Sequence, residues 1–424
     1  MMHTEGSVSL LVGQCGIQVG DTIFDELYTS SQTSEEDNRE ESPNNIFFDE
    51  NRTARAILVD TEAKVVASTF ARSRTRDWKY FDGRSKVIDD VSVVRQGGAA
   101  NNWAYGYLDA KNKVVAEQAI MKVRKQVESM DHLCGFNIVS SAAGGTGSGV
   151  GTKINEELRD IYRTLPVVHF VVLPFEAGEV AVQSLNSILS LSHIMQNEAG
   201  GTVVLRNDSA YYTCKRNGIF SPKLEDLNKS ISRDISSVLL ASGRVFYSDC
   251  IPHLWSQNQA FPFVELSSVP QTSDDGVKFN NDSWNALDKE LSRRVKGLKS
   301  PVSYSSCAFL HGPDAHSSLL LHKPKWLMTP TWRNSVSWKC VSSKNVWRGY
   351  SRSCTVALNS ASILEPLDRI LAKSKEMIRT DAYLHQYRQH GIQKMDFCDS
   401  ALKLERIASC YSNLVDETLA PTKK

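Results

Sequence analysis

The first half of the chain alternates short apolar runs with stretches whose apolar residues recur every three or four positions. "SVSLLVGQ" is a run of the first kind, and it leads into "CGIQVGDTIFDELY", where Ile17, Phe24, Leu27 and Tyr28 fall at helical spacing. "ARAILVDT" predicts a buried strand. "NKVVAEQAIMKVRKQVESM" predicts a helix with Val115, Ala119, Met121, Val123 and Val127 near one stripe. "GFNIVSSA" followed by "GVGTKINEELRDIYRTL", and "VVHFVVLP" followed by "GEVAVQSLNSILSLSHIMQ", repeat the strand–helix order. "TVVLRND" predicts one more strand, followed after a loop by the helix "SPKLEDLNKSISRDISSVLLAS". Apolar strands alternating with amphipathic helices predict an α/β fold, a parallel sheet with helices on both faces.

The second half is less regular. "VSYSSCAFLHG" and "SRSCTVALN" read as strands around a tryptophan-rich stretch, from Trp326 to Trp347, that reads as loops. Helices are predicted from about Glu365. The last of them places Leu404, Ile407, Ala408, Tyr411 and Leu414 on one stripe. "TSSQTSEEDNREESPNN" is acidic and without period, and reads as a flexible insertion after the first helix. "ARSRTRDWKYFDGRSK" is a basic run with aromatic rings, either a solvated loop or a surface for an acidic partner.

Composition narrows the class. A chain of 424 residues can hold two or three domains. Its 41% hydrophobic and 23% charged residues are ordinary globular usage. A net charge of +1 gives a nucleic-acid partner no global support. Nine cysteines without a CxxC pair argue against a disulfide framework and a structural zinc site, and suit a reducing compartment. The start has no basic targeting segment, and no apolar run reaches the ~20 residues needed to span a bilayer. The expectation is a soluble cytoplasmic protein with neither nucleic-acid nor membrane partners.

The candidate chemistry lies in "SSAAGGTGSGVGT", residues 140–152, at one of the strand–helix junctions where α/β folds bind ligands. Glycines let the backbone approach an anion, and the amides and positive end of the following helix favour phosphate. Thr146 and Ser148 add hydroxyls. The glycine spacing fails the dinucleotide fingerprint. Gly149 is followed by Val150 and Lys153 by Ile154, which excludes a Walker loop. The residues read as a phosphate loop without a lysine.

"GGTGSG", with "GQCGIQVG" at 13–20, "VDTE" at 59–62 and "AANNWAYGY" at 99–107, resembles the tubulin superfamily in order and spacing. "NSILSLSH" at 186–193, "RNDSAYYTC" at 206–214 and "DLNKSI" at 226–231 continue the likeness. "GEVAVQSLNSILSLSH" and the C-terminal "AYLHQYRQHGIQKMDFCDSALKLERIASCYSNL" resemble its delta-tubulin branch. The likeness covers nearly the whole chain and is weakest at about 262–354. It implies a tubulin-like architecture: a nucleotide-binding domain over 1–221, a long core helix over 222–242, a smaller α+β domain over 243–362, and C-terminal helices over 363–424.

The resemblance implies GTP and Mg2+ as cofactors. Ala143, Gly144, Gly145, Thr146, Gly147, Ser148 and Gly149 would cradle the phosphates, with Ser141 just before them. Gln14 and Cys15 would lie in the opening loop, with Gln18 near the base. Ala99, Ala100 and Asn101 would form the third loop, and Glu62 would sit near the magnesium. Asn207 and Asn228 would recognise guanine, since an amide pairs with both donor and acceptor edges. Two positions depart from the family. Gln183 stands for the glutamate that binds ribose, a neutral and weaker partner. Leu224 stands for the tyrosine that stacks on the base, a contact without the aromatic term of about 0.5–1.5 kcal/mol.

A third departure is larger. In the family a GxxNxDxxE loop after the core helix completes the next subunit's pocket, and another helix follows. Here "GRVFYSDCIPHLW" follows Ser242 directly, and Asp249 is the only carboxylate before Ile251. The gap is either a splice or gene-model deletion or a natural loss. Either way the chain lacks the residue that would activate water in its neighbour, and apolar side chains near the missing helix are expected to be uncovered. The short basic "ETLAPTKK" stands where tubulins carry an acidic tail.

The resemblance therefore implies a GTP-binding cytoskeletal protein of centrioles and basal bodies, acting in microtubule organisation and cilium assembly. It implies little hydrolysis by the chain itself, and other tubulins or centriolar proteins as partners. The alternative is a self-polymerising GTPase forming filaments as a structural constituent of microtubules. A dinucleotide-using metabolic enzyme is a third reading, opposed by the glycine spacing and the lack of a His/Asp/Ser constellation.

Overall fold

The computed structural model describes residues 5–32, 46–73, 76–80, 91–178, 180–195, 200–255, 260–270, 283–330, 338–347 and 350–419. Residues 33–45 of the acidic stretch, 74–75 and 81–86 of the basic run and 420–424 of the tail lie outside them. The strands are β1 (Glu5–Val12), β2 (Ala56–Asp60), β3 (Ser92–Val94), β4 (His132–Ser141), β5 (Val167–Leu173), β6 (Gly201–Arg206), β7 (Phe263–Val269), β8 (Ser303–His311), β9 (Trp338–Ser343) and β10 (Ser353–Ser360). The helices begin with α1 (Gly13–Gln32), α2 (Ala63–Ser73), α3 (Trp103–Leu108), α4 (Ala110–Glu128), α5 (Gly151–Ile161) and α6 (Gln183–Ile194). They continue with α7 (Asn207–Arg216), α8 (Leu224–Ser242), α9 (Ile251–Leu254), α10 (Trp284–Lys296), α11 (Leu364–Arg379), α12 (Leu384–Arg388) and α13 (Lys394–Leu419). The chain divides into two compact units, the first holding 1–24, 44–208 and 369–405, the second 25–43, 209–368 and 406–424.

In the first unit the strands lie in the order β3-β2-β1-β4-β5-β6, all parallel. The order reverses between β1 and β4, so the chain leaves these neighbouring strands toward opposite sides and opens a crevice at their carboxyl ends. Leu10, Val12, Ile57, Val59, Phe136 and Ile138 of the sheet pack against Val115, Ala119 and Val123 of α4 and Ile154 and Leu158 of α5. Met121 does not join this stripe. It is 56% exposed, two residues and so about 200° round α4 from Ala119.

Where it is described, the basic run is anchored to the fold rather than wholly solvated, with Arg72, Asp77 and Lys79 still exposed. Arg72 and Arg76 turn inward to the buried Asp21 of α1, at 3.1 and 2.7 Å, and the Tyr80 hydroxyl donates to it at 2.9 Å. Trp78 and Tyr80 pack with Phe24 beneath this pair.

His169 is fully buried on β5, with its Nε2 2.8 Å from Ser140 Oγ, and desolvation lowers its pKa to about 3. The imidazole is neutral in the fold, while the unfolded chain takes up a proton below its ordinary value of about 6.5. This contribution to stability is therefore intact above pH 6.5 and falls as pH drops toward 3. At pH 5 the loss amounts to about 2 kcal/mol. Desolvation holds Asp60 and Asp234 up at about 6, which works in the opposite direction over the same range. The expected result is thus a difference: His169→Gln loses about 2 kcal/mol less than wild type between pH 7 and 5 in urea titrations. Parallel losses would contradict it.

In the second unit the order is β7-β10-β8-β9, with β10 antiparallel to β7 and β8 and β9 parallel to β8. Leu287, Leu291 and Val295 of α10 pack with Trp326, Val356 and Leu358 on one side of this sheet. Helix α8 lies against it through Ser237, whose Oγ accepts from the Thr355 hydroxyl at 2.6 Å and whose carbonyl lies 2.8 Å from His311 Nε2. Two expectations change here. The segment expected to be a loop after β6 is α7. The tryptophan-rich stretch contributes β9 together with the buried Trp326 and Trp347.

The junction after α8 is short, as the sequence indicates. Gly243 ends the helix with a positive φ of 48°, suited to glycine. A π-helical turn, Phe246–Cys250, then runs straight into α9. The expectation of uncovered apolar side chains is not met: Phe246, Tyr247, Cys250, Ile251, Leu254 and Trp255 are all buried. The Ser305 hydroxyl donates to the Leu254 carbonyl at 2.8 Å, and Trp255 Nε1 to that of Pro262 at 2.8 Å. These bonds tie the shortened segment to the sheet. Among the described residues no helix is long and apolar enough to cross a membrane.

Candidate functional site

The crevice at the β1/β4 switch point gathers most of the residues singled out in the sequence. Helix α1 starts immediately after β1, at Gly13 with φ 72°. A Cβ there would come within 2.9 Å of the Gly147 amide nitrogen, so the two turns abut. Gln14 is exposed on the first turn of α1, Cys15 and Gln18 are half-buried, and desolvation pushes the Cys15 thiol up to about 12. That thiol stays protonated at neutral pH.

After β4 the chain forms the glycine turn. The Ala143 amide donates to Ser141 Oγ at 3.2 Å, and the Ser148 hydroxyl donates to the Gly144 carbonyl. Residues Thr146–Val150 form a π-helical turn continuous with α5, a wide turn of a kind frequent at functional sites. Close approach accounts for the glycines. A Cβ on Gly145 would lie 2.2 Å from the Ala99 carbonyl oxygen, and one on Gly149 would lie 2.5 Å from that of Trp103. At Gly144, by contrast, the nearest protein atom is Asn101 Oδ1 at 3.9 Å, so that face is open.

Ala99 is buried against Gly145, and the next two residues, Ala100 and Asn101, have φ of 50° and 49°. Two consecutive non-glycine residues in the left-handed region are strained, and such strain clusters at functional sites. Thr61 and Thr146 join hydroxyl to hydroxyl at 2.5 Å, bringing the turn after β2 to the glycine turn. Glu62 is exposed, with its Oε1 3.5 Å from where a Gly98 Cβ would stand. Asp60 is buried beside it. Its Oδ1 accepts from the Glu62 amide at 3.3 Å, while Oδ2 has no partner and desolvation raises its pKa to about 6. An orphaned buried carboxylate oxygen next to an exposed carboxylate fits a hard cation held by few protein ligands and by phosphate. No group of three or more metal-ligating side chains occurs among the described residues.

The remaining predicted residues are placed less tightly. Gln183 is buried, and its Nε2 donates to the Phe175 carbonyl at 2.8 Å. Asn207 is half-buried at the start of α7, in the first unit. Asn228 is half-buried and Leu224 is exposed on α8, in the second. Sequence reasoning passed over Asn186 of α6, whose amide bonds the backbones of both the glycine turn and the 99–101 loop. The available signal was an asparagine inside an otherwise apolar and serine-rich helix. It also passed over Asp60 and Thr61, which immediately precede Glu62.

Residues 7–215 match the Tubulin/FtsZ family, GTPase domain. The parallel sheet and glycine turns of the first unit are therefore those of a guanine-nucleotide GTPase domain. Over the whole chain the similarity is to tubulins. The Tubulin delta chain of Macaca fascicularis is 30% identical over 460 residues, covering 96% of this chain and 99% of that one. That of Canis lupus familiaris is 29% identical over 470 residues, with the same coverage. The Tubulin beta chain of Aspergillus fumigatus is 26% identical over 446 residues, covering 97% of this chain and 95% of that one. This chain belongs to the tubulin family. The 470 aligned positions with the dog protein exceed the 424 residues here, so that relative carries segments without a counterpart in this chain.

Proposed function

We propose that this protein binds GTP with Mg2+ and acts, as a delta-type tubulin, in the organisation of centriolar and basal-body microtubules and in cilium assembly. We further propose that it turns over little GTP and forms no filaments by itself. The likeness to delta chains supports the cellular part of this reading. The observation that carries the biochemical part is the junction after α8. Asp249 is the only carboxylate between Ser242 and Ile251, and its Oδ2 lies 3.7 Å from the Lys339 ammonium. A water-activating carboxylate must be held at the nucleotide of the following subunit, and this compact, packed turn offers no loop that extends from the chain.

Backbone amides of residues 144–149, with the Thr146 hydroxyl, would hold the phosphates, while Ser148 is buried with its hydroxyl committed to the Gly144 carbonyl and would instead shape the turn. Glu62 and Asp60 would hold the cation, whose charge offsets that of the phosphates. In a mixed polymer the chain would occupy a terminal position, its nucleotide face toward a tubulin that keeps the catalytic loop. Asn207 and Asn228 would select guanine, because polar groups placed for one base are left unsatisfied by another. GTP is therefore expected to displace a fluorescent GTP analogue at least about a hundred-fold more effectively than ATP. Equal competition would remove the guanine assignment.

A further inference from the structure

We propose that Asn186 is the positioning residue of the two phosphate-facing loops. Tyr387 extends its hold to the C-terminal segment, so that α12 and the nucleotide are coupled. The inference rests on the nucleotide reading of the crevice.

Asn186 is fully buried, and its side chain uses its full hydrogen-bonding capacity. Nδ2 donates to the carbonyl of Asn101 at 2.9 Å and to that of Ala143 at 2.6 Å. Oδ1 accepts from the Trp103 amide at 2.9 Å and from the Tyr387 hydroxyl at 2.6 Å. Its four partners lie on four segments of the first unit: the 99–101 loop, the glycine turn, α3 and α12.

The two accepting carbonyls matter most. By engaging them, Nδ2 turns both oxygens into the protein, away from where an anion would lie. It also holds the peptide after Ala100 and Asn101 in their strained left-handed conformation.

Tyr387 is buried, with its ring edge-on to Phe397 at 5.1 Å. Two further contacts tie the same segment to the third loop and α3. Asn102 Nδ2 donates to the Gln386 carbonyl at 3.2 Å, and the rings of Tyr105 and His390 lie 4.8 Å apart. Phosphate bound to these loops therefore stiffens α12 chiefly through the Asn186–Tyr387 bond, with the Asn102 and Tyr105 contacts beside it. By linkage, a partner that binds and moves α12 changes nucleotide affinity by the same factor.

The test measures binding of a fluorescent GTP analogue to the full chain, with melting temperature as a check on folding and amide hydrogen exchange over residues 384–391. Asn186→Asp puts an oxygen against two carbonyls and is expected to lower affinity at least about a hundred-fold. Tyr387→Phe removes one hydroxyl at an unchanged ring and is expected to lower it about five-fold, with the fold intact. In the wild type, nucleotide is expected to slow exchange over 384–391, and Tyr387→Phe to weaken that response. If Asn186→Asp fails to fold, Tyr387→Phe decides alone. Tyr387→Phe affinity within two-fold of wild type, or α12 exchange indifferent to nucleotide, overturns the proposal. If wild type and Gly145→Val bind the analogue equally, the nucleotide reading itself fails, and the coupling with it.

Discussion

Gly145→Val is expected to abolish GTP binding, lowering affinity by at least about a hundred-fold while leaving most of the fold in place. A Cβ at this position would stand 2.2 Å from the Ala99 carbonyl oxygen and 2.8 Å from the Ala99 Cβ. Neither is the far end of a flexible side chain, so the two loops must separate. The β-branched valine adds two methyl groups to that clash. Separation breaks the arrangement in which Asn186 bonds the carbonyls on both loops. The amides that would meet the phosphates then no longer converge, and a site held roughly 1 Å out of place loses most of its affinity. Gly144→Ala is the matched control. A Cβ there meets protein only at 3.9 Å, so any loss reports the ligand rather than the loops. The measurement is titration with a fluorescent GTP analogue on samples of matched circular dichroism. Unchanged binding by Gly145→Val would place the nucleotide elsewhere.

The largest expected effect on stability is at Asp21. Its carboxylate is buried on α1 and accepts from Arg72 at 3.1 Å, Arg76 at 2.7 Å and the Tyr80 hydroxyl at 2.9 Å. Arg76 also lies over the Trp78 ring, 5.0 Å from its centroid. Asp21→Ala removes the buried anion on which these three donors converge, beside a buried aromatic cluster. Removing one partner of a buried pair costs about 3–5 kcal/mol. Arg72 is half exposed and can turn to water, which places the expectation near the lower end of that range. Urea unfolding of Asp21→Ala should show it, and a loss below about 1 kcal/mol would mean that the cluster stands without the charge.

The longer strands and helices of the first unit were legible because those strands are continuous apolar runs between turn residues and those helices carry a clear apolar stripe, whereas α2, α3 and the three-residue β3 were too short or too weakly patterned to be read. The glycine turn was legible for a different reason, since only a need for close approach accounts for so bare a backbone. The second unit was harder. Its strand β8 is buried throughout but contains Ser303, Ser305 and Ser306, whose hydroxyls find partners that no local pattern announces. Strand β9 hid in the tryptophan-rich stretch because its residues are only partly buried and do not alternate. The inward turn of Arg72 and Arg76 depends on Asp21, more than fifty residues earlier, and basic spacing alone could not reveal it. Asn186 escaped for the same reason: its partners come from segments as distant as Tyr387. The cover over the shortened junction was misjudged because the chain from Gly243 onward folds back as a helical turn, which buries the apolar residues that a missing helix was expected to expose.

The most direct test of the central claim is phosphate release and pelleting of the purified protein with GTP and Mg2+, over a range of protein concentrations. The account predicts saturable GTP binding, phosphate release that stays slow and strictly proportional to protein, and no sedimenting filaments. A variant carrying a GxxNxDxxE loop and a following helix between Ser242 and Ile251 should gain assembly over the same range. Cooperative, concentration-dependent hydrolysis with visible filaments from the unmodified chain would contradict the account, because a water-activating group and a complete longitudinal surface would then exist without that segment.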